Sequence, residues 1–166
     1  MTYLAQYHSP LGDITMCGDD EALTGLWFVG QKHFGATLPN EAEEGRCVVL
    51  DQTARWLDQY FEGRNPGVTP LVRFAGTSFQ NGVWRLLTEV PYGKTVTYKD
   101  IACEMARRMG RRTMSAQAVG AAVARNPVSI IVPCHRVLGS DGRLTGYAGG
   151  LETKSRLLRL ETLSLF

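Results

Sequence analysis

Ile130-Ile131-Val132-Pro133-Cys134-His135-Arg136-Val137 places a cysteine and a histidine directly after an apolar run. Such a run predicts a buried, strand-like segment, with Cys134 inside the protein or at the floor of a pocket. Two interpretations of the thiol are open at this point. Most cysteines in apolar surroundings are inert packing residues. However, Pro133 lacks a backbone donor, and His135 and Arg136 are poorly suited to a core, so these flanks favour chemistry at Cys134.

Length and composition indicate a soluble globular protein. The chain has 166 residues, enough for one ordinary domain or for two small ones that share an interface. Its residues are 44% hydrophobic and 20% charged, and no apolar run approaches the length that spans a bilayer. The first residues, Met1 to Gln6, lack the basic and apolar regions of a secretory signal. We expect a cytoplasmic protein without membrane contact, and a monomer.

The cysteines and histidines do not form a recognisable metal site. No Cys-x-x-Cys pair occurs, which argues against a zinc ribbon or a redox motif, and the lack of an export signal argues against a disulfide framework. His8 and His33 are more typical of surface or turn residues than of ligands. The sequence predicts no metal and no other cofactor.

Charge is divided unevenly along the chain. Residues 1–90 contain 6 Lys or Arg and 11 Asp or Glu, whereas residues 91–166 contain 12 and 5. A polyanion would therefore bind the C-terminal half. A solvated face with ordinary ion pairs is the alternative, and it applies less well to the clusters Arg107-Arg108 and Arg111-Arg112.

The first 76 residues predict an N-terminal α/β domain, with a small antiparallel sheet, one helix and a linker. Three stretches have the character of short strands separated by turn signals: residues 2–8, 14–17 and 23–29. Apolar residues then recur at helical spacing from Val48 to Phe61, and Gly63 supplies a stop. A stretch rich in glycine and proline, residues 63–76, is the expected linker.

Residues 77–166 predict a mainly helical C-terminal domain. Thr77-Ser78-Phe79-Gln80 fits a capping box that opens the first helix. Three further helices are predicted: residues 98–109 behind Thr97, residues 116–125 behind Ser115, and residues 151–160. Two helices joined by a short glycine-containing connection in a basic segment suggest a winged-helix-like helix-turn-helix.

The helix expected over residues 116–125 is rich in alanine and contains Gly120. So little side-chain bulk would let its backbone approach a neighbouring surface closely. Periodicity leaves two explanations equally open: a tight helix–helix packing face, or a face that fits a narrow nucleic-acid groove.

Pro133-Cys134-His135-Arg136-Val137 resembles the active-site motif of the O6-alkylguanine-DNA alkyltransferases, also called methylated-DNA–protein-cysteine methyltransferases. The resemblance continues over about half the chain, in the family's order, through these residues: Ala118-Val119-Gly120, Asn126-Pro127, Gly146-Tyr147-Ala148-Gly149-Gly150, Lys154, Leu157-Leu158 and Glu161. It implies a repair protein that moves the alkyl group of O6-alkylguanine, and of O4-alkylthymine, from double-stranded DNA to Cys134, once per molecule. It also implies a recognition helix in the minor groove and a base flipped into a pocket.

The resemblance also bears on how the thiol is activated. A buried thiol resists ionisation, because desolvation raises the pKa of a group whose charged form is an anion. Activation by His135, oriented by Glu161, would follow the triad logic of cysteine nucleophiles. Neighbours in an extended segment point to opposite sides, so we expect a bridging water rather than direct contact between Cys134 and His135. The resemblance implies the same cysteine–water–histidine–glutamate relay.

Further residues are assigned by position in the resemblance and by the basic cluster. The base pocket would contain Tyr98, Asn126, Val137, Tyr147, Ala148 and Gly149. The expected DNA contacts are Arg111, Arg112, Gln117, Ala118, Ala121, Arg125 and Arg136. Tyr98 as a helix-start aromatic and Asn126 as a helix C-cap are structural alternatives. Gln117 is a departure, because the family commonly has an arginine there that enters the duplex in place of the flipped base.

Two other functions are open on the sequence. One is a non-catalytic lesion-recognition protein on the same scaffold, but those relatives replace the cysteine, and Cys134 is present. The other is a thiol hydrolase, which would need an oxyanion arrangement and would turn over.

Overall fold

The computed structural model describes residues 1–163. The N-terminal half begins with a small sheet. Three antiparallel strands, β1 (Tyr3–Ser9), β2 (Gly12–Gly18) and β3 (Leu23–Phe28), match the predicted stretches. A two-residue strand, β4 (Glu43–Glu44), pairs in parallel with β1 and was not predicted, because two residues carry no periodicity. The resulting strand order is β3-β2-β1-β4.

The predicted helix behind the sheet is α1 (Val48–Phe61). Its buried side chains recur every three or four residues, because that spacing places them on one face: Val49, Leu50, Thr53, Trp56, Leu57 and Tyr60. The chain leaves the helix through Gly63, whose φ of 82° is a conformation that favours glycine.

Four helices form most of the second half: α2 (Ser78–Leu87), α3 (Tyr98–Arg108), α4 (Ala116–Ala124) and α5 (Leu151–Leu163). Thr77 and Thr97 form capping boxes with Gln80 and Asp100, and the Ser115 hydroxyl accepts from the Ala118 N–H, so the predicted helix starts are confirmed. Helices α3 and α4 pack together as the helix-turn-helix, and both also contact α2.

A second, two-stranded sheet brings the segment after Cys134 to the start of α3. Strands β5 (Val96–Thr97) and β6 (Val137–Leu138) run parallel. Thr97 also caps α3, so the pairing places the first turn of α3 beside the residues that follow the active-site motif.

The segment before Cys134 is buried as predicted but is not a strand. It forms consecutive turns, and residues Cys134–Arg136 form a single 3-10 turn. The reason is local bonding. The Val132 N–H donates to the Val128 carbonyl at 3.0 Å, and the Asn126 side chain bonds the Val128 N–H and the Val132 carbonyl, so these groups are satisfied without a neighbouring strand. Ile130 has a φ of 70°, a strained value for a β-branched residue.

One hydrophobic core joins the two halves of the protein. The backbone of Leu26 in β3 exchanges hydrogen bonds with Pro127 and Ser129, both at 2.9 Å. The edge of the N-terminal sheet therefore supports the turns that precede Cys134. Within residues 1–163, no helix combines the length and apolar character needed to cross a membrane.

Candidate active site

Cys134 lines a cavity of about 460 Å³. Four of the residues predicted for a base pocket line the same cavity: Tyr98, Asn126, Tyr147 and Ala148. Tyr98 comes from the first turn of α3, and Tyr147 and Ala148 come from the glycine-rich loop before α5. The structure thus brings together residues that lie up to 50 positions apart in the sequence.

Two residues predicted for the pocket lie elsewhere. Val137 is fully buried in the core, where its carbonyl accepts a hydrogen bond from the Lys154 ammonium. Gly149 packs against the ring of Tyr147, which lines the pocket. A Cβ added at Gly149 would lie 2.9 Å from a ring carbon of Tyr147 and 3.3 Å from a ring carbon of Phe28. A side chain at Gly149 would therefore displace Tyr147, so the glycine acts on the pocket through its small size.

His135 and Glu161 form a buried pair beneath the cavity wall. His135 is 0% exposed and Glu161 is 1% exposed. The Nε2 atom of His135 contacts Oε2 of Glu161 in a short hydrogen bond. Glu161 also accepts from Arg136 Nε at 2.7 Å, from the Gly93 N–H at 3.1 Å and from the Tyr60 hydroxyl at 2.6 Å. The carboxylate is therefore held by donors from both halves of the chain.

The environment fixes the protonation states of this pair. Burial alone would raise the pKa of Glu161, but the hydrogen bonds from His135 and Arg136 outweigh it and hold that pKa well below its usual range. Burial lowers the pKa of His135 despite the neighbouring carboxylate. A neutral imidazole that donates its Nε2–H to an ionised Glu161 leaves a lone pair on Nδ1. That Nδ1 atom is buried and has no hydrogen-bond partner within residues 1–163.

Cys134 is 6% exposed, and its thiol resists ionisation. Burial raises its pKa, while the Asn126 side chain and the Lys154 ammonium oppose that increase. No hydrogen bond joins Cys134 to His135 in the part of the chain that the structure describes, and the two belong to a 3-10 turn instead of the extended segment that we predicted. The thiol and the imidazole are therefore neighbours in sequence that make no direct hydrogen bond within residues 1–163.

Lys154 organises the opposite wall of the cavity. Its ammonium is fully buried and donates to the carbonyls of Val137 at 2.6 Å, Thr145 at 2.8 Å and Gly146 at 3.2 Å. It also lies 5.9 Å from the ring centroid of Tyr98. Burial lowers the pKa of Lys154 to about 8, against a raising effect of Cys134. In the sequence, Lys154 was one of the residues that carry the resemblance, but no role was predicted for it.

The position of Arg136 corrects its predicted role. Arg136 was expected to contact DNA, but it is only 6% exposed and its guanidinium is engaged by Glu161 and by the Val90 carbonyl at 2.8 Å. A cation that is buried and paired offers no charge to a polyanion. Arg136 instead belongs to the network that holds Glu161.

Two residues of the N-terminal half line the cavity and were missed. Lys32 and His33 lie in the loop after β3, and the Lys32 N–H donates to the Ala148 carbonyl at 3.2 Å. His33 has a φ of 59°, unusual for a residue other than glycine. Nothing in their spacing relative to residues 126–151 indicated that they would meet the pocket.

Helix α4 presents two different faces, one packed against the core and one exposed to solvent. Val119, Ala122 and Val123 face the core, and the Trp84 indole donates to the Ala122 carbonyl at 2.8 Å. Gln117, Ala118, Ala121 and Arg125 are exposed. The exposed face is therefore smooth near its centre and polar at both ends.

The basic clusters near α4 differ in how far they are already paired. Arg107 and Arg108 both form ion pairs with Glu104, and Arg108 also pairs with Glu89. Arg111 and Arg112 are exposed and enter none of the ion pairs found within residues 1–163. Arg111 and Arg112, in the turn between α3 and α4, are thus more available to an external anion than Arg107 and Arg108.

The helix-turn-helix thus lies beside a cavity that is lined by the buried Cys134. Two family models cover most of the chain: the 6-O-methylguanine DNA methyltransferase, ribonuclease-like domain, over residues 2–69, and the 6-O-methylguanine DNA methyltransferase, DNA binding domain, over residues 78–163. The chain belongs to the 6-O-methylguanine DNA methyltransferase family. It is a DNA-repair methyltransferase.

Individual relatives agree over nearly the whole chain. The methylated-DNA–protein-cysteine methyltransferase of Methanosarcina barkeri is 42% identical over 158 residues, 95% of each chain. The inducible enzyme of the same name from Bacillus subtilis is 42% identical over 152 residues, 84% of this chain and 80% of the relative. A crystal structure of Mycobacterium tuberculosis OGT in complex with DNA is 34% identical, with a TM-score of 0.86 over 98% of this chain and 94% of that one. The predicted fold class is confirmed in both halves.

Proposed function

We propose that the protein repairs O6-alkylguanine, and O4-alkylthymine, in double-stranded DNA by moving the alkyl group onto its own Cys134. The observation that carries this proposal is the position of Cys134, on the wall of a cavity of about 460 Å³ and next in sequence to the His135–Glu161 pair. The cavity has room for a purine with a small substituent. The pair supplies a base whose free nitrogen is buried.

The transfer balances without a cofactor. The Cys134 proton passes through a bridging water to Nδ1 of His135, and Glu161 stabilises the imidazolium that forms. The sulfur then attacks the alkyl carbon, the bond from that carbon to guanine O6 breaks, and guanine leaves with the bonding electron pair and takes up one proton. The product is a thioether on Cys134. Hydrolysis does not return a thioether to a thiol, so each molecule acts once.

The low exposure of Cys134 requires the target base to leave the helix. A base stacked in a duplex does not reach the thiol of a residue that is only 6% exposed, so the nucleotide is extruded into the cavity, at a cost of a few kcal/mol. Tyr98 presses on the neighbouring phosphate, and Asn126 braces the turns before Cys134. Lys154 holds the loop that carries Tyr147 and Ala148.

The duplex binds against the exposed face of α4 and the turn before it. Ala118 and Ala121 let the helix backbone approach a groove, and Arg111, Arg112 and Arg125 contact phosphates. In this arrangement residues 77–166 form the DNA-binding and transfer domain, of which residues 164–166 lie outside the described part. Residues 1–76 form a supporting domain with its linker, and the protein acts as a monomer.

Intact mass spectrometry tests the proposal directly. Duplex DNA that contains O6-methylguanine should add one methyl group per protein molecule, and no further turnover should follow. Cys134→Ser should remove the addition and leave DNA affinity nearly unchanged. The triple variant Cys17→Ser, Cys47→Ser, Cys103→Ser is the matched control and should keep full labelling. Binding without labelling would indicate a lesion-recognition protein, and repeated turnover would indicate a hydrolase.

A further inference from the structure

The hydroxyl of Tyr60 reaches the relay from the other half of the chain. Tyr60 lies in the last turn of α1, is 0% exposed, and donates to Oε2 of Glu161 at 2.6 Å. The two residues are 101 positions apart in sequence. The same Oε2 atom contacts Nε2 of His135. One carboxylate oxygen is therefore shared between a phenol and the imidazole that serves the thiol.

The direction of the phenol's hydrogen bond is fixed. Burial, and then the charge of Glu161, raise the pKa of Tyr60 well above its ordinary value, so the phenol stays protonated. An ionised carboxylate has acceptors but no donor. Tyr60 is thus the donor, and it withdraws part of the negative charge that Oε2 would otherwise direct at His135.

Two further donors act on the other oxygen of Glu161. Arg136 Nε and the Gly93 N–H both donate to Oε1 of Glu161. Loss of the Tyr60 hydroxyl would leave these two contacts in place and would change the environment of Oε2 alone. The effect on the imidazole is therefore separable from the ion pair that holds Glu161.

The Tyr60 ring is held by packing that does not depend on its hydroxyl. It stacks on Trp56 with ring centroids 5.4 Å apart and meets Tyr92 edge-on at 6.2 Å. A phenylalanine would keep these contacts. Replacing Tyr60 by phenylalanine therefore removes the hydrogen bond to Glu161 and keeps the packing of the ring.

We propose that Tyr60 is a positioning residue for the transfer reaction: its hydroxyl sets how strongly Glu161 attracts the proton on His135, and so connects the N-terminal half to the chemistry at Cys134. The inference rests on the proposed function, in which neutral His135 takes the thiol proton. When the phenol is removed, Oε2 becomes the stronger partner of the imidazolium, and His135 holds a proton more tightly.

The other titratable groups around the pair stay constant in this comparison. They come from the active-site turn, α5 and two loops: Cys134, Arg136, Lys154, Tyr92 and Tyr147. Arg136 and Lys154 oppose a charge on His135, and Glu161 favours it. Since Tyr60→Phe leaves all of these residues in place, a change in the titration of His135 reports the loss of the phenol donor.

The test is the pH dependence of Cys134 labelling by O6-benzylguanine as the free base, which avoids DNA binding. Protonated His135 cannot accept the thiol proton, so labelling slows on the acid side of the His135 pKa. Tyr60→Phe should move this acid limb upward by about 0.5–1 pH unit, a three- to tenfold change in the protonation equilibrium. Tyr7→Phe is the matched control, because the Tyr7 hydroxyl makes a similar bond to Asp58 at 2.7 Å on the surface, and its limb should not move.

A second variant keeps the test decisive if Tyr60→Phe does not fold. Site-specific incorporation of 3,5-difluorotyrosine at position 60 retains the hydroxyl and makes it a stronger donor, so the limb should move to lower pH. The ring nitrogen signals of His135, followed by ¹⁵N NMR in the unreacted protein, should shift in the same two directions. If both variants show the same acid limb in the pH profile of labelling and the same His135 titration by NMR as wild type, the proposed role of Tyr60 is overturned. Absence of labelling of wild type by both O6-benzylguanine and methylated duplex would instead reject the proposed function and leave the NMR comparison valid.

Discussion

Arg136 Nε lies 2.7 Å from Oε1 of Glu161, and both side chains are almost entirely inside the protein. A buried ion pair of this kind is strongly destabilising when only one partner is removed, because the other charge is left uncompensated. The pair therefore makes Arg136 a structural partner of Glu161, and it accounts for a basic residue that follows His135 and yet is buried.

Arg136→Met should lower the free energy of unfolding by about 3–5 kcal/mol, as expected for breaking a buried pair. Urea denaturation measures this change. Arg107→Met is the matched control, because its pair with Glu104 lies at the surface and should contribute little to stability. The salt dependence of DNA binding should be the same for folded Arg136→Met and wild type. A smaller slope of log K against log salt in the variant would show that Arg136 does contact DNA.

Glu161→Gln should slow labelling of Cys134 by about 10²–10⁴-fold, the usual contribution of general acid–base groups, while DNA affinity is kept. The amide carries no charge to stabilise the imidazolium of His135. Single-turnover rates with methylated duplex measure the loss, and Glu152→Gln at the exposed start of α5 is the control. A rate within a factor of two of wild type would remove Glu161 from the relay. Unfolding of the variant would instead assign Glu161 a structural role.

The Glu161 carboxylate should also make the free energy of unfolding depend on pH. The folded-state pKa of Glu161 lies below its ordinary value of 4.5, so its ionised form stabilises the folded protein at pH values above 4.5. This contribution is lost as the pH falls through the lower, folded-state pKa. The difference in unfolding free energy between wild type and Glu161→Gln should therefore shrink steadily below pH 4.5. A difference that stays constant down to the acid limit would contradict the shifted pKa.

The sequence predicted the helices and their starts because the signals are local. Thr77, Thr97 and Ser115 each bond a backbone N–H three residues ahead, so the residues that decide the cap are contiguous. The turns before Cys134 show the limit of such signals. Their apolar residues predicted burial correctly. However, the Asn126 side chain donates to the Val132 carbonyl six positions away, and a hydrophobic pattern gives no sign of such a contact.

The candidate site was predictable where local signals or the resemblance reached. The flanks of Cys134 favoured chemistry there, and the resemblance supported Cys134, His135 and Glu161, whereas Tyr60, Lys32 and His33 come from the N-terminal half. Their part in the site depends on how β3 and α1 pack against residues far along the chain. Arg136 was misassigned because a basic residue looks the same in sequence whether it meets phosphate or a buried carboxylate.

Arg111→Ala with Arg112→Ala should flatten the salt dependence of DNA binding. Each phosphate contact that is lost lowers the slope of log K against log salt by about 0.9, so two contacts give a fall of up to about 1.8. Binding titrations at several salt concentrations measure the slope. The double variant Arg46→Ala with Arg64→Ala changes two exposed arginines of the N-terminal half and should leave the slope unchanged. An unaltered slope in the first variant would identify the cluster as a solvated face.

Gln117 occupies the exposed start of α4, in a groove that shares Tyr98 and Gly120 with the cavity of Cys134. This position suits a side chain that enters the space left by an extruded base. Glutamine can hydrogen-bond the orphaned cytosine, but it is shorter than arginine and has neither the charge nor the five donors of a guanidinium. We therefore expect Gln117→Arg to speed repair of duplex DNA and Gln117→Ala to slow it. Neither should change the reaction with free O6-benzylguanine, which needs no flipping.

Labelling rates on methylated duplex and on free O6-benzylguanine, measured side by side, test this expectation. Gln52→Arg on the exposed face of α1 is the control, because it adds the same charge away from the recognition helix. If Gln52→Arg speeds duplex repair as much as Gln117→Arg, the gain comes from general attraction to DNA. Equal responses of both substrates would show that Gln117 acts on the pocket or the fold. Unchanged rates on both substrates would make Gln117 a surface residue of α4 with no part in base extrusion.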